Sequence, residues 1–191
     1  MNASHDNDMS WTFLPKCLDN TSKTDNTSSS LHCLFTSPEF RNGHGISLVT
    51  TTTSASHLIG LDAFVDKPML HVARQGASLE PAYEVLPVEG KGQGVVARRR
   101  IRRGEIIMVD VPAVLIAVSF LAETKPHHRR RLLKQALNQL PEETRSRSYG
   151  LGRSSSKYEV DAIMGPNSNT VVVADDQVHV GLFTEVAVRC K

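Results

Sequence analysis

The chain has 191 residues, 40% hydrophobic and 22% charged, and its 22 basic and 20 acidic side chains leave a formal net charge of +2. This supplies enough apolar material for one domain, or for a small domain behind a tail. The longest nearly apolar stretch, Val109 to Leu121, contains Asp110 and Pro112 and falls short of the roughly 20 residues that cross a bilayer, which excludes a membrane span.

The N-terminus reads MNASHDNDMSWTFLPKC and lacks the charged-then-apolar layout of a secretory signal. Asn2, Asn20 and Asn26 head glycosylation-type triplets, which without export read as chance matches in an Asn/Ser/Thr-rich tail. Cys17, Cys33 and Cys190 are odd in number and widely spaced, which disfavours both a disulfide framework and a zinc knuckle. A reducing compartment, nucleus or cytoplasm, is the expectation. Charge is uneven along the chain. Residues 1–80 carry 5 basic and 8 acidic side chains, net −3, whereas residues 81–191 carry 17 and 12, net +5. A compositional boundary therefore falls near residue 80.

In chain order, residues 1–30 are dominated by Asn, Asp, Ser and Thr and are expected as a disordered polar tail, with too little apolar surface to offset ordering entropy. Residues 31–80 read as an appendage and linker. Within them Ile46, Leu48 and Thr50 alternate as in a strand after the Gly43-His44-Gly45 turn, and Ser54 to Leu61 reads as a short helix. The organised domain is expected over residues 81–191. Tyr83 to Val88 reads as a strand with an edge-type proline, Pro87. After the glycine turn Gly90 to Gly94 come three β-type runs, Val95 to Ala97, Ile106 to Val111 and Val114 to Val118, which suggest an antiparallel meander.

A helical insert is expected over about residues 126–153. Leu132, Leu133, Ala136, Leu137 and Leu140 follow helical spacing after Pro126, and Pro141 with Glu142 and Glu143 suits the start of a second helix. Ser156 and Glu159 have capping-box spacing for a third helix, with Gly165-Pro166 as its stop. Thr170 to Ala174 and Val178 to Phe183 flank a hairpin turn.

Glycines at 90, 92 and 94 permit positive φ and close approach of a ligand to the backbone. The turn is no Walker loop, because Lys91 is followed by Gly92, and no dinucleotide fingerprint, because no long helix begins at Val95. Taken alone it reads as a tight hairpin. The basic clusters Arg98 to Arg103 and His127 to Arg131 read as solvated faces, favoured over nucleic-acid binding because no aromatic platforms are interleaved. Eight histidines form no metal-ligand spacing, and no Gly-x-Ser-x-Gly elbow supports a hydrolase.

The order of these pieces resembles the front of a SET domain, the S-adenosylmethionine-dependent protein-lysine methyltransferase family. Gly90-Lys-Gly-Gln-Gly-Val-Val-Ala97 with Ile101-Arg-Arg-Gly-Glu-Ile-Ile107 resembles its opening. Asp161-Ala-Ile-Met164 with Asn167-Ser168 resembles its helix into an extended segment, and Gly181 to Ala187 the approach to its signature. The resemblance covers about residues 83–187 and implies a β-rich α+β fold, an incomplete SET-like arrangement of short antiparallel strands with a helical insert. It implies S-adenosylmethionine contact at Lys91, Gly92, Gln93 and Gly94, a substrate-protein side near Asn167 and Ser168, and no metal. The family's Asn-His-x-Cys-x-Pro-Asn stretch and its later tyrosine are absent, because Ala187 is followed by Val188-Arg-Cys-Lys191. With those positioning groups missing, the chain is expected to carry no catalytic residues and to be inactive as written. The alternative is a non-catalytic module using the arginine-rich hairpin to engage acidic protein or nucleic acid. Ile106, Val109, Val171, Val173 and Phe183 are expected to lack packing partners and to favour aggregation.

Overall fold

The computed structural model describes residues 11–18, 31–61, 64, 82–90, 92–105, 107, 110–173 and 177–184. Its elements are β1 (Lys16–Leu18), β2 (His32–Ser37), a one-turn segment α1 (Phe40–Gly43), β3 (Ile46–Thr51), α2 (Thr52–Ile59), β4 (Tyr83–Val88) and β5 (Gly92–Ala97). There follow β6 (Pro112–Ala117), α3 (Val118–Glu123), α4 (Pro126–Asn138), α5 (Glu142–Tyr149), α6 (Glu159–Asn167), β7 (Ser168–Val173) and β8 (Gln177–Phe183).

Six strands form one mixed sheet in the order β1-β2-β3-β6-β8-β7, and β4 with β5 forms a separate two-stranded sheet. Every neighbouring pair is antiparallel except β3 and β6, which run parallel with Leu48 opposite Leu115. Strand periodicity then sorts the core. Leu34, Val49, Ile116 and Leu182 point to one face and pack with Leu132, Leu133, Ala136 and Leu137 of α4 and Ile163 of α6. Cys33, Phe35, Leu48 and Leu115 point to the other and pack with Ala55 and Leu58 of α2 and with Phe64.

The sheet crosses the compositional boundary at residue 80. β2 and β3, within the stretch expected as an appendage, are interior strands joined through β3 to β6. All six residues of β2 are buried, so it has no polar face and shows none of the alternation that marks a half-exposed strand. Residues 11–18 of the expected tail also belong to the fold. Lys16, Cys17 and Leu18 pair with Leu34, Cys33 and His32, and Cys17 and Cys33 are joined in a disulfide. The odd cysteine count misled because strand register, rather than sequence spacing, brought two of the three together.

The expected meander is absent among the described residues. β5 pairs only with β4, whereas β6 pairs with β3 and β8. The helical insert follows its periodicity. Pro126 occupies the first turn of α4, whose buried face is Leu132, Leu133, Ala136 and Leu137, and Pro141 caps α5. α6 departs from the expected boundaries. Tyr158 is its N-cap without a side-chain bond, and the helix continues through Pro166 to Asn167. Ser156 instead accepts from the Tyr158 N–H at 3.3 Å, a local turn in place of a capping box. The β7–β8 hairpin forms as expected. Val173 is buried, and Val171 and Val173 both join the core with Leu48 and Leu115, contrary to the expected exposure. Their alternate neighbour Val172, on the other face, is 65% exposed. Ile106 and Val109 lie outside the described residues.

Candidate functional site

The glycine turn sits at the tip of the β4–β5 hairpin. Val88 pairs with Gly92 and Leu86 with Gly94, and Gly90 supplies the left-handed φ of +70° that closes the turn. Pro87 lies opposite Gln93 in this two-stranded sheet, where a missing N–H is tolerated. Gly94 has a different reason to be glycine. A Cβ there would overlap Val88 Cγ2 across the hairpin, so its bareness serves the packing of the two strands. Lys91 lies outside the described residues, and for Gly92 and Gln93 the description is of backbone, both in β5. Val85, Leu86 and Val96 are exposed on the hairpin, which joins no strand of the main sheet.

The arginines expected on the hairpin lie beyond its last strand residue, Ala97. They occupy a turn tied back by Arg98 N–H donating to Ala82 C=O at 2.9 Å and closed at Gly104, φ +81°. Glu105 organises this turn. Its carboxylate accepts from the Arg99 guanidinium at 2.5 Å and from the Arg102 backbone N–H at 3.0 Å. The Arg99 bond, and then the Arg102 backbone bond, hold the Glu105 carboxyl below its ordinary range, and the same pairing raises Arg99. The side chains of Arg100, Arg102 and Arg103 are exposed, and the Arg102 charge also acts on the Glu105 carboxylate.

The second basic cluster is largely committed to the fold. The His127 and His128 rings meet edge-on at the start of α4, their centroids 4.0 Å apart. The Arg129 guanidinium donates to Leu121 C=O at 2.6 Å. Arg130 donates to Asp161 at 2.7 Å and lies 3.5 Å over the Tyr158 ring, fastening α4 to α6. Only Arg131 projects as a plainly exposed cation.

Asn167 is buried. Its amide donates to Gly152 C=O at 2.6 Å and to Ile163 C=O at 2.7 Å, tying the end of α6 to the loop before it. Ser168 opens β7 half-buried, its hydroxyl 3.8 Å from Met164 Sδ. Gly94 lies in the two-stranded sheet and Asn167 at the end of α6, and no strand pairing or hydrogen bond among the described residues joins them.

Two histidines are buried, His32, which the sequence did not single out, and His179, expected there on a strand as a packed or surface side chain rather than a base. His32 on β2 places Nε2 3.0 Å from Ser119 Oγ and its ring edge-on to Phe120. His179 on β8 contacts Gln177 C=O through Nδ1 at 3.3 Å. His32 Nδ1 and His179 Nε2 have no hydrogen-bond partner among the described residues. Burial pushes both imidazoles below their ordinary value, opposed at His32 by Glu123 and at His179 by the Gln177 carbonyl. Both are buried core groups. No cluster of metal-ligating side chains exists among the described residues, and no described helix is long and apolar enough to cross a membrane.

Comparison with protein-family models, with curated proteins and with solved structures finds no match to this chain.

Proposed function

We propose that this chain carries the donor-side part of a SET-like protein-lysine methyltransferase. The observation that supports this reading most is the exposed β4–β5 hairpin with its glycine turn. The Gly90 φ of +70° turns the backbone at the tip, and neither strand is covered by the main sheet. A glycine turn of this kind presents backbone N–H and C=O groups without intervening side chains, as contact with the carboxylate, amine and ribose of S-adenosylmethionine requires. Lys91, Gly92, Gln93 and Gly94 are the contact positions in this reading.

Calorimetric titration tests it. S-adenosylmethionine is expected to give a saturable heat that disappears in Gly92→Trp while the thermal melt is unchanged. A flat titration of the native chain sinks the proposal.

A second reading rests on a separate observation, the exposed side chains of Arg100, Arg102 and Arg103 in the turn after β5. In it, the turn after β5 engages an acidic protein segment. Binding of a Glu/Asp-rich peptide should then weaken steeply with salt and fall in the triple Ala variant. Equal binding by native and triple-Ala chains rejects this reading, and tighter binding of a DNA duplex redirects it to nucleic acid.

A further inference from the structure

We infer that the Cys17–Cys33 bond is a permanent clasp formed in a thiol-oxidising compartment, and that it holds residues 11–18 as a strap over the outer edge of β2. This inference is independent of donor binding. β2 is buried at all six positions, so the edge it turns away from β3 needs a cover. The strap supplies that cover along the strand. Thr12 N–H donates to Thr36 C=O at 3.0 Å, the Trp11 ring lies 5.4 Å from Phe35, Lys16 pairs with Leu34, and Leu18 enters the core at 5% exposure.

Only three residues of the strap pair as strand, too few to hold by ladder bonds alone. The disulfide spans 16 residues of sequence and joins facing positions of the ladder, with Cys33 at 0% exposure within the apolar cluster of Phe35, Leu48 and Leu58. Closing that loop removes much of the freedom the strap has when open. Two Asn-x-Ser triplets, at Asn20 and Asn26, stand in the sequence between these cysteines, as in chains that pass through oxidising, glycosylating compartments.

Formation is a thiol–disulfide exchange with an oxidised dithiol protein or an oxidised low-molecular-weight thiol. One cysteine thiolate attacks that disulfide and displaces one thiol. The second thiolate then attacks the mixed disulfide and displaces the other, so two electrons and two protons pass from the cysteines to the oxidant.

The test is the thiol count of the intact protein. Alkylated in denaturant without reductant, protein from an oxidising compartment should take one label, on Cys190, and after reduction three. Reduction should lower the melting temperature by about 6–12 °C. Cys17→Ser should match the reduced protein and ignore reductant. If Cys17→Ser does not fold, the reductant response of the native chain carries the test. Three labels before reduction, or a melt that reductant leaves unmoved, overturns the inference.

Discussion

Gly45 takes φ +76°, and a Cβ at that position would overlap the ring of Pro141, which caps α5. Both penalties act on any substitution there. Gly45→Ala is expected to cost about 2–4 kcal/mol, from left-handed backbone strain and overpacking, as read by urea denaturation. Gly94→Ala should act locally, lowering amide protection of β4 and β5 and leaving the global melt in place, because the hairpin adds nothing to the main core. The glycine turn was legible in sequence, but the demand at Gly94 was not, since it depends on the Val88 side chain reaching across from the neighbouring strand. The buried histidines have a pH consequence. Their folded pKa values lie below the ordinary value, so below about pH 6.5 the unfolded chain binds protons that the folded chain refuses. Stability is full above that pH and falls as pH drops through it, by up to about 1.4 kcal/mol per pH unit for each histidine. Melting temperatures at pH 7.5 and 5.5 should show this loss, and His32→Gln should flatten it.

The element that fixes the architecture is α4, laid across β2 and β3. Its apolar stripe packs on the sheet, and a polar line pins its C-terminal half. Ser47 Oγ donates to Ala136 C=O at 2.9 Å, and the adjacent Thr36 hydroxyl donates to Gln139 Oε1 at 2.7 Å. Leu137→Ala is expected to cost about 2–5 kcal/mol, and Ser47→Ala about 1–2 kcal/mol by leaving buried polar groups unmatched, both measured by equilibrium unfolding. α4 was readable because one face is apolar and the other charged. β2 was not, because burial on both faces erases the period that separates strand from loop. The meander expectation failed for a related reason. β6 is equally apolar throughout, and composition does not say that its partners are β3, far back in the chain, and β8, far ahead.

At the scale of the molecule, the charge boundary near residue 80 does not divide the core, which is built from both sides of it. The chain should therefore not divide there. Residues 81–191 expressed alone lose β3 from beside β6, and circular dichroism is expected to show no cooperative thermal transition for them. The candidate site was legible as a hairpin with a glycine tip and a basic sequel. It was not legible that the hairpin stands outside the main sheet, that the arginines fall in a turn ordered by Glu105, or that the Asn167 amide is consumed within the fold. The first depends on long-range placement, and the others on side-chain geometry within a turn and at a helix end, which composition and spacing do not specify. The most direct test of donor binding is a titration of labelled protein with S-adenosylmethionine, followed by backbone amide resonances. The account predicts saturable shifts confined to the hairpin, largest at Lys91, Gly92, Gln93 and Gly94. Shifts elsewhere with the hairpin silent, or none at saturating donor, would contradict it.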